Sequence, residues 1–182
     1  PDLGKFVIIV APHTSNWDFI AALFCDLALD LDARFLAKHS IFVGPFGTWL
    51  KSLGGIPVVR SASHNVVGQV AMEFARRERM VLAIAPEGTR RKVESWKSGY
   101  WHIARAAGVP IVPVGIGGSE AMMPKGSKLL RPSRLVLIVG DPIPPPARTE
   151  QGRMPRSAVS SLTQQLHGDL QETDRTLVFE AC

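Results

Sequence analysis

The sequence predicts an α/β fold, a single domain over residues 1–182 built on a largely parallel central sheet flanked by helices. Three observations carry this. Strand-length apolar runs alternate with amphipathic helical stretches, the pattern in which parallel strands are joined through helices. The runs are apolar at successive positions, as strands covered on both faces require. A chain of 182 residues, 46% hydrophobic and 20% charged, holds one buried core, falls short of two ordinary domains and is not a disordered composition.

Taken in order, KFVIIVA at residues 5–11 reads as a central strand. Residues 16–31 place Ile20, Leu23, Phe24, Leu27 and Leu31 at helical spacing, with Asp26 and Asp30 elsewhere, so this helix is expected to bury one stripe. Residues 33–38 form a second strand. Residues 40–53 are apolar and aromatic, interrupted by Gly44-Pro45, and fit either core packing or an acyl groove or membrane-interface element to which Trp49 is suited. Residues 56–59 make a third strand. Ser63 can cap a helix carrying Val66, Val67, Val70, Ala71 and Phe74 on one face. A fourth strand spans 80–85, and a helix over 97–107 ends at Gly108 in a left-handed cap. Two more strands cover 109–115 and 135–140, residues 142–146 are a proline-stiffened loop, and a last helix is expected over about 155–172.

Several function classes are disfavoured early. With 21 Lys and Arg against 16 Asp and Glu, the net charge is +5, enough for an anionic ligand or membrane surface and too little to argue for nucleic acid. Two cysteines, Cys25 and Cys182, exclude a disulfide framework and a cysteine-based metal site by count and fit a reducing compartment. No apolar run reaches the roughly eighteen residues of a membrane span, and no signal peptide is visible, although a chain opening at Pro1 leaves room for an upstream leader or anchor. There is no P-loop, no G-x-G-x-x-G and no H-E-x-x-H, so neither nucleotide chemistry nor a catalytic metal is expected.

The residues with chemical potential cluster just past strand ends, which in a parallel sheet share one rim. After the first strand comes Pro12-His13-Thr14-Ser15-Asn16-Trp17-Asp18, with His13 in the turn and Asp18 about one turn into the helix. Helix side chains lean toward the N-terminus, so Asp18 can hold one nitrogen of the His13 ring and leave the other as a general base. The same spacing also fits a helix-capping cluster with Asp18 on the helix dipole. Past the fourth strand, Glu87-Gly88-Thr89-Arg90 offers a tight turn, a hydroxyl and a guanidinium fork suited to phosphate, or simply a solvated polar turn. Arg60 follows the third strand and Lys38 closes the second.

These residues resemble the PlsC-type lysophospholipid acyltransferase family. His13 and Asp18 match its H-x4-D block, Gly54 and Arg60 its G-x5-R block, Glu87 to Arg90 its E-G-T-R block, and Val109 to Val114 its V-P-I-V-P-V block, all in family order. The resemblance implies a glycerolphosphate-acyltransferase-like fold with a largely parallel or mixed sheet. It implies fatty acyl transfer from acyl-CoA or acyl carrier protein, as co-substrate, to a hydroxyl of a lysophospholipid such as 1-acylglycerol-3-phosphate, with no cofactor and no metal. His13 and Asp18 would form the general-base pair, and Arg60, Glu87, Gly88, Thr89 and Arg90 the phosphate site. Lys38, if its strand neighbours the first, is a candidate oxyanion donor. The implied setting is cytoplasmic, peripheral at the cytoplasmic membrane face, without nucleic-acid partners. The competing readings are acyl transfer to an amino-acid lipid or glycolipid, a non-catalytic lipid-binding membrane-surface protein, and a hydrolase, the last disfavoured by the absence of G-x-S-x-G.

Overall fold

The computed structural model describes residues 3–11, 17–59, 63–88, 96–117, 131, 133–145 and 176–181. Lys5–Ala11 forms β1, Trp17–Leu29 α1, Ala33–Lys38 β2, Gly44–Ser52 α2, Gly55–Val58 β3 and Ser63–Arg76 α3. Met80–Ile84 forms β4, Gly99–Ala107 α4, Ile111–Gly117 β5, Ser133–Val139 β6 and Thr176–Ala181 β7. One seven-stranded sheet results, in the order β3-β2-β4-β1-β5-β6-β7. Its first five strands run parallel, and β6 and β7 add two antiparallel ladders at one edge.

The apolar runs are explained by two separate cores. On one side of the sheet Val7 and Ile9 pack with Leu82 and Ile111 against Val70 and Phe74 of α3 and Tyr100, Trp101, Ile103 and Ala104 of α4. On the other, Ile8 packs with Val81, Val112, Val114 and Leu137 against Cys25 of α1. Successive β1 residues thus serve opposite layers, so neither face tolerates a polar residue. Cys25 lies inside its layer, and burial raises its thiol pKa above the ordinary value.

The cap expected at Gly108 is met by its physics. Gly108 ends α4 at φ 67°, ψ 35°, donating its N–H to the Ala104 carbonyl. Asp26 organises the turn between α1 and β2: its Oδ1 accepts the Ala33 N–H at 2.7 Å, and Asp30 and Asp32 take positive φ. Desolvation raises the Asp26 pKa, partly countered by that hydrogen bond.

Other expectations are corrected. Phe24 and Leu27 of α1, assigned to the buried stripe, are 54% and 68% exposed, because the inward position between them is held by Cys25. Gly44-Pro45 starts α2, with the proline at its first turn where a missing N–H costs nothing. Most consequential for Lys38, β2 does not neighbour β1, since β4 pairs with both and lies between them. β7 was not foreseen, and the helix expected at 155–172 lies outside the described residues.

Candidate active site at the carboxyl rim of the sheet

Register places the motif-bearing strand ends at one height. Phe35 of β2 and Ile8 of β1 both pair with Ala83 of β4. Three residues further along each strand come Lys38, Ala11 and Pro86, and Lys38 pairs directly with Val58 of β3. From this level the chain continues into each motif: His13 is two residues beyond Ala11, Arg60 two beyond Val58, and Glu87 next after Pro86. His13, Arg60, Thr89 and Arg90 themselves lie outside the described residues. Asp18 is the second residue of α1, in its first turn.

Two glycines hold this geometry. Gly54 sits at φ 90°, and a Cβ there would lie 2.6 Å from the Ala33 carbonyl oxygen. That strain and clash explain why the residue opening the G-x5-R block carries no side chain. Gly88 adopts φ 61° and donates its N–H to the Ala85 carbonyl, turning the chain directly after β4. A Cβ on Gly88 would meet Lys97, whose Cδ would be 2.8 Å and Nζ 3.0 Å away. The Lys97 N–H donates to the Pro86 carbonyl at 2.8 Å, so Lys97 is anchored with its side chain laid over the glycine turn.

A cleft of about 870 Å³ adjoins this rim, lined by Phe35, Ala85, Pro86, Gly88, Lys97 and Tyr100 among others. Its walls come from α1 on one side of the strand ends and from α3 and α4 on the other. Glu87 is half-buried at this edge, and Lys38 is exposed. With β4 interposed, the backbone at Lys38 is two strand spacings, roughly 10 Å, from β1. The adjacency that made Lys38 an oxyanion candidate is therefore absent. Lys97 joins this rim only through the fold: it lies nine positions past Gly88 in sequence, and its side chain reaches the glycine turn once the chain reverses over it.

Comparison with known proteins bears on this rim. A profile for acyltransferases matches residues 3–117, which spans β1 through β5 and all four motif blocks. The chain belongs to the acyltransferase family. A 1-acyl-sn-glycerol-3-phosphate acyltransferase of Chlamydomonas reinhardtii is 30% identical over 94% of this chain and 53% of its own length. The enzyme of that name from Escherichia coli is 32% identical over 59% of this chain and 45% of its own length. The chain thus spans about half the length of the curated relatives it matches. The fold matches the crystal structure of the 1-acyl-sn-glycerophosphate acyltransferase PlsC from Thermotoga maritima with a TM-score of 0.67 at 23% identity, over 96% of this chain and 70% of that one. The mixed sheet flanked by helices is therefore the acyltransferase fold.

Proposed function

We propose that this protein transfers a fatty acyl group from acyl-CoA or acyl carrier protein to the free hydroxyl of a lysophospholipid of the 1-acylglycerol-3-phosphate type. The observation that carries the reading is the shared level of Ala11, Val58 and Pro86, from which three motif blocks leave the sheet beside one cleft. The names of the relatives favour the same acceptor.

In this mechanism His13 accepts the proton of the acceptor hydroxyl as its oxygen attacks the thioester carbonyl. The carbon–sulfur bond then breaks, and the thiolate takes the proton back from the imidazolium. Asp18, in the first turn of α1, fixes the His13 tautomer and stabilises its charged form. An unperturbed imidazole titrates near 6.5, close to working pH. Backbone N–H groups at the start of α1 are the oxyanion donors in this account, in place of Lys38. Arg60 and Arg90 hold the acceptor phosphate, with Glu87 orienting them. Lys97 adds a point charge over Gly88 at the same turn. Apolar cleft residues such as Phe19, Leu23 and Leu36 suit an acyl chain.

A thiol-release assay with an acyl-CoA and a panel of lyso-acceptors tests the reading. Release is expected with phosphate-bearing acceptors, and Arg90→Ala should raise the acceptor KM far more than the thioester KM. Release only with glycolipid or amino-acid lipid acceptors would reassign the acceptor, release with water alone would indicate a hydrolase, and none at all would leave a lipid-binding protein.

A further inference from the structure

Helix α2 turns its aromatic side chains away from the core. Gly47 and Leu50 are buried, and a Cβ on Gly47 would lie 2.3 Å from the Phe42 carbonyl carbon, so that face is pressed onto the preceding turn. The Phe42 ring in turn covers Gly55, where a Cβ would meet it at 2.9 Å, which ties the turn to β3. On the adjoining face Phe46 and Trp49 are 56% and 52% exposed, with ring centroids 5.6 Å apart. Ile41 and Val43 are exposed just before them. Among the described residues, four of the eight exposed large hydrophobic side chains therefore fall within nine consecutive positions. Single exposed apolar residues need no explanation, but a contiguous group marks a contact surface.

Charge and position identify what it contacts. Residues 33–72 contain no Asp or Glu, while Arg34, Lys38, Lys51 and Arg60 fall among them. Lys38 directly precedes the apolar turn, and Lys51 follows Trp49 by two residues; both are exposed. Tryptophan and phenylalanine bracketed by lysines, with no carboxylate nearby in sequence, is the chemistry that settles at the headgroup level of an anionic bilayer. The turn begins where β2 ends, so the patch stands on the same rim as the cleft. We infer that Ile41, Val43, Phe46 and Trp49 insert into the interfacial layer of an anionic phospholipid membrane, with Lys38 and Lys51 against its headgroups. The patch thereby holds the cleft at the surface from which a lysophospholipid enters. This inference rests on the acceptor being a membrane lipid.

The test uses the full chain with phosphatidylcholine vesicles, with and without phosphatidylglycerol, read by co-sedimentation and by quenching of tryptophan fluorescence with brominated lipid. The protein should sediment with the anionic vesicles and be quenched. Phe46→Ser with Trp49→Ser should weaken partitioning by about tenfold or more. Trp49→Phe should keep binding and lose most of the quenching, and Met72→Ser, an exposed apolar residue on α3, should bind as the parent does. Failure to bind anionic vesicles at low salt, equal binding by the double variant, or a dimer in light scattering that the double variant dissolves would each overturn the inference. Turnover on a short-chain lyso-acceptor below its critical micelle concentration separates the two claims. There the double variant should match the parent, while on vesicle-embedded acceptor it should be slowed. An inactive parent on the soluble acceptor would count against the acyltransfer reading and leave the vesicle result standing.

Discussion

Helices α2 and α4 are matched in size and aromatic content yet face opposite ways. Each has nine residues, opens on glycine and carries two aromatic side chains. In α4, Tyr100, Trp101, Ile103 and Ala104 are all buried against β1, β4 and α3. In α2 only Gly47 and Leu50 are buried, and Phe46 and Trp49 face outward. Aromatic content does not decide the outcome. What decides it is whether a sheet face lies beneath the helix: α4 lies on one, whereas α2 packs against its own preceding turn and the edge strand β3. The aromatic residues of α4 therefore serve stability, and those of α2 remain free for contact.

Substitution should expose this contrast. The largest effect belongs to Trp101→Ala, which should cost about 3–5 kcal/mol in chemical denaturation, the scale for truncating a buried aromatic residue. Trp101→Phe should cost much less. It keeps most of the ring packing and removes an indole N–H that has no hydrogen-bond partner among the described residues.

A second, smaller effect is one of pH. Tyr100 is 2% exposed, and burial pushes its phenol up to about 12. In the unfolded chain it ionises near 10. Below pH about 10 the phenol is neutral in both states and its contribution is constant. Between about 10 and about 12 the unfolded chain ionises first, so this group lowers stability as pH rises and acts in the opposite sense as pH falls. Tyr100 is the only tyrosine in the sequence, so phenolate absorbance reports it alone. A midpoint near 10 in the folded protein would mean that the ring is wet. The smallest effect is expected in α2, where Trp49→Ala should change stability by no more than about 0.5 kcal/mol. A loss comparable to that at Trp101 would erase the contrast between the two helices.

Much of the fold was legible because it rests on local patterning. The β2 boundaries at Ala33 and Lys38 and the Gly108 cap were read directly from apolar runs and glycine placement. The order of strands was not, since an apolar run records burial and not which neighbour provides it. That gap misled the reading of Lys38, which needed β2 beside β1. Phe24 and Leu27 misled for a related reason: helical spacing defines a stripe, but Cys25, a small side chain, took the inward position. At the site, the motif blocks were legible from residue type and order, and the register of β1, β3 and β4 supplied what spacing alone lacked, a common height. The relation of Lys97 to Gly88 was not legible, because it exists only after the chain folds back over the turn.

The central claim is that an imidazole two residues beyond β1 activates the acceptor hydroxyl. The most direct test is steady-state thiol release from acyl-CoA by His13→Ala in the presence of 1-acylglycerol-3-phosphate, with the circular dichroism of the variant matched to that of the parent. Turnover should fall by on the order of 10²–10⁴, the range for loss of a general base. A folded His13→Ala protein turning over at the parent rate would contradict the account.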